Sequence, residues 1–231
     1  MADISQLTRS GTIGTQIHMR KLRNADGTLT PFCYFDVDSE MGGATETLRV
    51  LMQGQLCEEF ADMEPKTGDR ILVRQATPYV KDGQLCTRLL EKDQIQVASA
   101  GGLASDVSRL TQSGIIGSEI HLRKLKNADG SQTPFCYFDV VSSLAEGSTG
   151  TPAEPLQVLI QGELCEYFMG LHPATGDRIL LLHAVPYVKE GHICTRLQSK
   201  DQVQLMPDKR ELFGLPAEAF ISARALFGGN L

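Results

Sequence analysis

Two kinds of side chain recur together along this chain and bear directly on chemistry. The first is a short basic run, His18, Arg20, Lys21 and Arg23, which returns as His121, Arg123, Lys124 and Lys126. The second is a set of flat rings close behind it: Phe32 and Tyr34, returning as Phe135 and Tyr137, with Tyr79 and Tyr187 further along. Cations neutralise phosphates and rings stack on bases, at about 1–3 kcal/mol per base, so an unpaired polynucleotide needs both side by side. Further cations, Arg49, Arg74, Arg88 and Arg196, fall in segments that read as strands. Each feature also has a plainer use. Lys and Arg on a solvated strand edge discourage aggregation, and a ring pair can pack under a loop or in a subunit interface. The sequence leaves these uses open.

The signatures of catalysis are thin. The chain has no phosphate-cradling P-loop, no H-E-x-x-H and no nucleophile elbow. Its five histidines do not cluster with ligand spacing, and His172 and His183 have no counterpart in the first half. Cys57 and Cys165 begin short helical segments, where a thiol pKa can fall; this is the one nucleophile signal. The six cysteines stand far apart with no C-x-x-C pair, which reads as buried free thiols in a reducing cytoplasm. These features predict a non-enzymatic protein with no metal and no cofactor. No stretch reaches the roughly 20 apolar residues a membrane helix needs, and MADISQLTRSG has no apolar targeting core. A cytoplasmic protein without membrane association is expected. The net charge of −6 means that any basic surface must be local.

These residues come in pairs because the chain is written twice. SGTIGTQIHMRKLRNADGTLTPFCYFDV from Ser10 matches SGIIGSEIHLRKLKNADGSQTPFCYFDV from Ser113. LRVLMQGQLCEEF from Leu48 matches LQVLIQGELCEYF from Leu156, and PYVKDGQLCTRL from Pro78 matches PYVKEGHICTRL from Pro186. The second copy carries a longer Gly/Ser/Thr/Pro-rich loop between Val140 and Pro155. The repeat predicts domains over 1–98 and 110–206, a small-residue linker over 99–109, and a tail over 207–231 outside the repeat. In the tail, Pro216 can start a short helix with Phe220, Ala223 and Phe227 along one side, either packed on the second domain or serving as a docking peptide or oligomer contact.

Within one copy the periodicity is mostly two. Thr12–Leu22 alternates, with Ile13, Thr15, Ile17 and Met19 on one face and Gln16, His18 and Arg20 on the other. Asn24–Gly27 is a turn, and Phe32–Asp38 a second strand whose Cys33, Phe35 and Val37 oppose Phe32, Tyr34 and Asp36. Ser39–Thr47 reads as a flexible loop. Leu48, Val50 and Met52 mark a third strand that stops at Gly54. Leu56–Met63 is a short helix carrying Phe60, as Phe168 is carried in the second copy, toward the core. Arg70–Ala76 and Gln84–Leu89 are two more strands, and Ile95 and Val97 close the unit. Three strands, a short helix and two strands is the order of an OB-fold. The predicted fold class is therefore all-β with short helices: two tandem five-stranded OB barrels.

The ordered set resembles the OB domain of bacterial-type single-stranded DNA-binding proteins. The likeness rests on a first strand ending in the basic run, the F-x-V strand at Phe35–Val37, and the apolar strand ending in Gly54. It continues through the helix opening Leu56-Cys57-Glu58, the Gly68-Asp69-Arg70-Ile71-Leu72-Val73 segment and the Tyr79-x-x-x-Gly83 hairpin. It spans residues 7–97 and 110–205. It implies an OB-fold, strand binding, and a base-stacking role for Tyr79 and its counterpart Tyr187. The chain departs from the family in having no Trp, in placing Gln53 and Gln161 where an aromatic often precedes the Gly, and in ending without an acidic tip.

Together these readings predict a single-stranded DNA binder in replication, recombination or repair, with RNA left open as a ligand. A homodimer or other homo-oligomer is expected, with replication or recombination proteins as possible partners. The alternative is an OB-fold adaptor, a primosome or mobile-element replication accessory, that binds protein and touches nucleic acid weakly. The copies are unequal: Arg49 becomes Gln157, Lys66 becomes Ala174 and Arg74 becomes Leu182. The first copy is expected to grip the strand more strongly, and the second to lean toward dimerisation or a partner.

Overall fold

The computed structural model describes residues 3–98, 105–142 and 154–206. The tail reading over 207–231, most of the linker and the longer loop of the second copy lie outside the described residues. The first copy contains β1 (Ser5–Ile13), β2 (His18–Arg23), β3 (Leu29–Met41), β4 (Ala44–Gln53), α1 (Gln55–Asp62), β5 (Arg70–Ala76), β6 (Pro78–Lys81), β7 (Gln84–Arg88) and β8 (Ile95–Ala98). The second contains β9 (Ser108–Ile116), β10 (His121–Lys126), β11 (Gln132–Val141), β12 (Leu156–Gln161), α2 (Glu163–Gly170), β13 (Arg178–Ala184), β14 (Pro186–Lys189), β15 (His192–Arg196) and β16 (Val203–Met206).

Strand pairing is that of an OB barrel. β1 runs against β5 and then, at Thr12 and Ile13, against β3. β3 pairs with β4, and β4 with β7 in parallel. Alternation sends Cys33, Phe35 and Val37 of β3, and Leu48, Val50 and Met52 of β4, fully into the interior. The helix closes one end of the barrel: Phe60 stacks on Phe35 at 5.0 Å, and Phe168 on Phe138 at 5.2 Å. Both helix phenylalanines are core, as the sequence pattern indicates.

Two sequence readings are corrected. Thr12–Leu22 is not one strand. It breaks after Ile13, at a crossing where Thr12 pairs with both Arg70 of β5 and Asp38 of β3, and pairing with β3 resumes only at His18. Gly11 and Gly14 permit this crossing: a Cβ on Gly11 would lie 2.2 Å from the Asp38 carbonyl oxygen, and one on Gly14 1.8 Å from the Asp38 carboxylate. Past the break, β2 and the start of β3 form an arm that overhangs the barrel, so Met19, assigned to the inner face, is 51% exposed. Ser39–Thr47 is not a loose loop either. β3 and β4 stay paired out to Met41 and Ala44, joined by Gly42-Gly43, both at positive φ.

The copies meet edge to edge. β1 pairs antiparallel with β9, from Ser5 opposite Gln112 to Arg9 opposite Ser108, burying Leu7 against Leu110. The junction is quasi-symmetric. Ile4 donates its N–H to Ser113 Oγ (2.8 Å), and Val107 donates to Ser10 Oγ (2.9 Å). Arg70 of the first copy pairs with Asp106, just before β9, while Arg178 of the second pairs with Asp3, just before β1. One buried charge breaks the symmetry: Arg9 is held by Ser39 Oγ (3.0 Å) and Glu46 (3.2 Å), and the position two-fold-related to it is Gln112.

Candidate nucleic-acid interface

Register across the outer face of β2, β3, β4, β7 and β6 decides which side chains share a surface. His18 lies opposite Tyr34, Tyr34 opposite Leu51, and Leu51 beside Arg88. The neighbouring row runs Arg20, Phe32, Gln53, and the next Asp36, Arg49, Cys86, Tyr79. The fold thus brings His18, Arg20, Phe32, Tyr34, Arg49, Tyr79 and Arg88 onto one face. The second copy repeats it with His121, Arg123, Phe135, Tyr137, Tyr187 and Arg196, and Gln157 where Arg49 stood.

Other sequence candidates fall elsewhere. Strand alternation turns Lys21 and Arg23, with Lys124 and Lys126, to the opposite side of the arm from the rings. The basic run is therefore split rather than presented as one patch. Arg74 sits on β5, beyond β1 from this face, and donates to Gln96 Oε1 at 2.9 Å on β8. Tyr187 also lines a groove between the copies with Arg9, Glu46 and Gln84, so its position belongs to the junction as well as the face.

The phenylalanine and tyrosine rings and His18 are half-buried, while His121 is exposed. His18 stacks on Tyr34 with centroids 4.7 Å apart and planes 18° apart, and His121 stacks likewise on Tyr137 at 4.8 Å. Phe32 lies 6.0 Å from Tyr34. The guanidiniums of Arg20 and Arg49 each lie 5.8 Å from the Tyr34 centroid, and Arg123 stands at the same distance from Tyr137. Among the described residues no carboxylate pairs with Arg20, Arg88, Arg123 or Arg196, so these charges are open to an incoming anion. Each tyrosine thus belongs to a stack already two rings thick and flanked by cations, which positions it to extend onto a base.

Asp36 organises the first copy's face, and the sequence pattern does not mark it. Its carboxylate accepts from Arg49 Nε (2.9 Å) and Nη2 (3.1 Å), and this pairing raises the Arg49 pKa further above its already high value. Arg49, Phe32, Tyr34, Leu51 and Cys86 line a recess of about 200 Å³, rimmed by Lys81 and Asp82 of the β6–β7 turn. Burial raises the phenol pKa of Tyr79 and Tyr187. Burial also overrides the helix terminus at Cys57 and Cys165, whose thiol pKa values go up and not down. All six cysteines are free and buried, and the nucleophile reading is withdrawn. No helix among the described residues is long and apolar enough to cross a membrane.

No protein-family model and no curated protein matches the chain. Solved structures do. The wild-type single-stranded DNA binding protein from Thermus aquaticus superposes with a TM-score of 0.61 at 17% identity, over 89% of this chain and 94% of that one. A deletion variant of the same protein gives 0.60 at 17%, over 88% and 95%. At that identity the likeness establishes the fold, which is that of an SSB-like OB protein.

Proposed function

We propose that this protein binds single-stranded DNA across the β2–β3–β4–β7–β6 face of each of two tandem OB domains, divided at 1–98 and 110–206. One observation carries the reading. In both copies, register sets a His–Tyr stack and a Phe in line with guanidiniums that no carboxylate neutralises among the described residues. The fold likeness to proteins named for this activity supports it. Phosphates track Arg20, Arg88, Arg123 and Arg196, and bases extend the stacks on Tyr34 and Tyr137. Coating or organising unpaired strands in replication, recombination or repair, as a cytoplasmic homo-oligomer, is the role such a surface suits.

The adaptor reading draws on the net charge of −6 and on the exposed Met19, Leu29 and Leu122 of the arms. Titrating labelled oligo(dT), oligo(U) and duplex DNA at two salt concentrations separates the two. Tight oligo(dT) binding, with a log–log salt slope of about −3 from four phosphate contacts at ~0.7 each, supports the proposal. Weak, salt-insensitive binding to all three favours the adaptor. The oligo(U) arm reads the preference between DNA and RNA.

A further inference from the structure

We infer that the first copy's face, taken as a single-strand binding surface as proposed above, contains a base-reading subsite that favours guanine, with Arg49 as the residue that reads it. The second copy lacks it.

The argument starts from what fixes Arg49. An arginine that only meets phosphates needs no fixed geometry, because a mobile cation serves as well. Arg49 is not mobile in that sense. Two of its five N–H groups are spent on Asp36, directly across the β3–β4 pair, at 2.9 and 3.1 Å. The planar fork is locked, its remaining donors are directed away from Asp36, and its side chain keeps 38% exposure. The carbon end of the group lies over the Tyr34 ring. It also forms a wall of the recess lined by Phe32, Tyr34, Leu51 and Cys86 and rimmed by Lys81 and Asp82. A flat, largely apolar recess beside a stacking ring accepts a base, and a fixed pair of donors at its wall then reads the base's edge.

The donor pattern selects the base. Guanine presents two adjacent acceptors, O6 and N7, on one edge, and unpaired cytosine presents O2 and N3 on its pairing edge. Adenine sets its amino donor beside N7 and N1, and thymine sets an N–H between its two carbonyls, so neither offers adjacent acceptors; the two-ring stack of guanine over Tyr34 favours it over the smaller cytosine. A two-donor fork therefore suits guanine and cytosine, leaves adenine and thymine short of a hydrogen bond or facing donor against donor, and together with stacking on Tyr34 favours guanine. In the second copy Asp139 remains opposite position 157, but Gln157 replaces the arginine. Its amide Oε1 is near Cys194 Sγ at 3.7 Å, and one amide cannot supply the same two-donor fork.

The test uses the full chain and fluorescence anisotropy. The probes are oligo(dT) and the same oligonucleotide carrying a central dG, dC, dA or 7-deaza-dG. The dG probe is expected to bind about fivefold more tightly than the dA and dT probes, the lower end of one bidentate contact. The 7-deaza probe, which lacks the N7 acceptor, should lose that advantage, which separates edge reading from purine stacking. Arg49→Gln, the residue the second copy carries at this place, should weaken all probes and bring their affinities together. Arg49→Lys should restore part of the shared affinity but, lacking the planar fork anchored on Asp36, less of the dG preference than arginine gives. Gln157→Arg, set above the retained Asp139, should create a second preference, visible with two spaced dG residues. Equal affinity for dG and dA, a dC probe that binds more tightly than dG, or a preference that survives Arg49→Gln would overturn the inference while leaving strand binding intact. Failure of every probe to bind would instead remove the underlying reading of the surface.

Discussion

Removing the Glu46 carboxylate should destabilise the fold more than removing it together with the cation it serves. Arg9 sits on β1 beside the copy–copy junction with its side chain only 1% exposed. Desolvation drives its pKa down, and Glu46, then Asp106 and Asp38, push it back up. In Glu46→Ala the guanidinium keeps Ser39 Oγ as a neutral partner and loses its adjacent counter-charge. Breaking a buried pair from one side costs about 3–5 kcal/mol. Glu46 retains 27% exposure, so water can partly replace it, and about 2–3 kcal/mol is the better figure. For a chain of this size that lowers Tm by about 4–12 °C. In Arg9→Met/Glu46→Ala no charge is left to desolvate, and apolar replacement of a buried pair is often neutral. The related position in the second copy already holds the neutral Gln112, buried in the same junction. Differential scanning calorimetry of the wild type, the single and the double variant checks this. A double variant as unstable as Glu46→Ala, or a single variant within about 1 °C of wild type, would refute the reasoning.

Three further outcomes follow from the face itself. Arg20→Glu should weaken oligo(dT) binding and reduce the salt slope by about 0.7, whereas Lys21→Glu, on the other side of the arm, should do much less; equal losses in an anisotropy titration would contradict the alternation. Tyr34→Ala should cost about 1–3 kcal/mol of binding and exceed Tyr137→Ala, since Tyr34 has two guanidiniums over it and Tyr137 has Arg123; parallel titrations giving equal losses would make the copies equivalent. Burial raises the pKa of all six thiols, Cys33, Cys57, Cys86, Cys136, Cys165 and Cys194. Native protein at pH 8 should therefore resist a thiol reagent that modifies all six after unfolding, and rapid native labelling of any of them would count against the buried assignment.

The barrel core was legible because alternation is local. Cys33, Phe35 and Val37 announce an inward face from their spacing alone, and the same spacing sends Phe32 and Tyr34 outward. The repeat made the second copy readable from the first. What escaped depends on partners distant in sequence. The break after Ile13 falls where β1 is held between β5 and β3, and nothing in Thr12–Leu22 records those partners. Gly42-Gly43 was a usable hairpin signal inside a segment read as a loop. The split of the basic run was implicit in its own alternation, since Arg20 and Lys21 are adjacent and cannot share a strand face. Arg49 and Asp36 look like ordinary surface charges until the β3–β4 register sets them opposite one another. Arg9, Asp3 and Asp106 likewise look solvated in sequence and become buried or paired only when β1 meets β9.

The most direct test asks where an unpaired strand lies. Oligo(dT) carrying 5-iodouracil can be photo-crosslinked to the full chain and the adducts mapped by peptide mass spectrometry, because the halogenated base couples best to a ring it stacks on. The account predicts adducts on His18, Phe32 or Tyr34 in the first copy and His121, Phe135 or Tyr137 in the second. Adducts confined to β5, β8, β13 or β16, or their absence under conditions where the strand is bound, would contradict it.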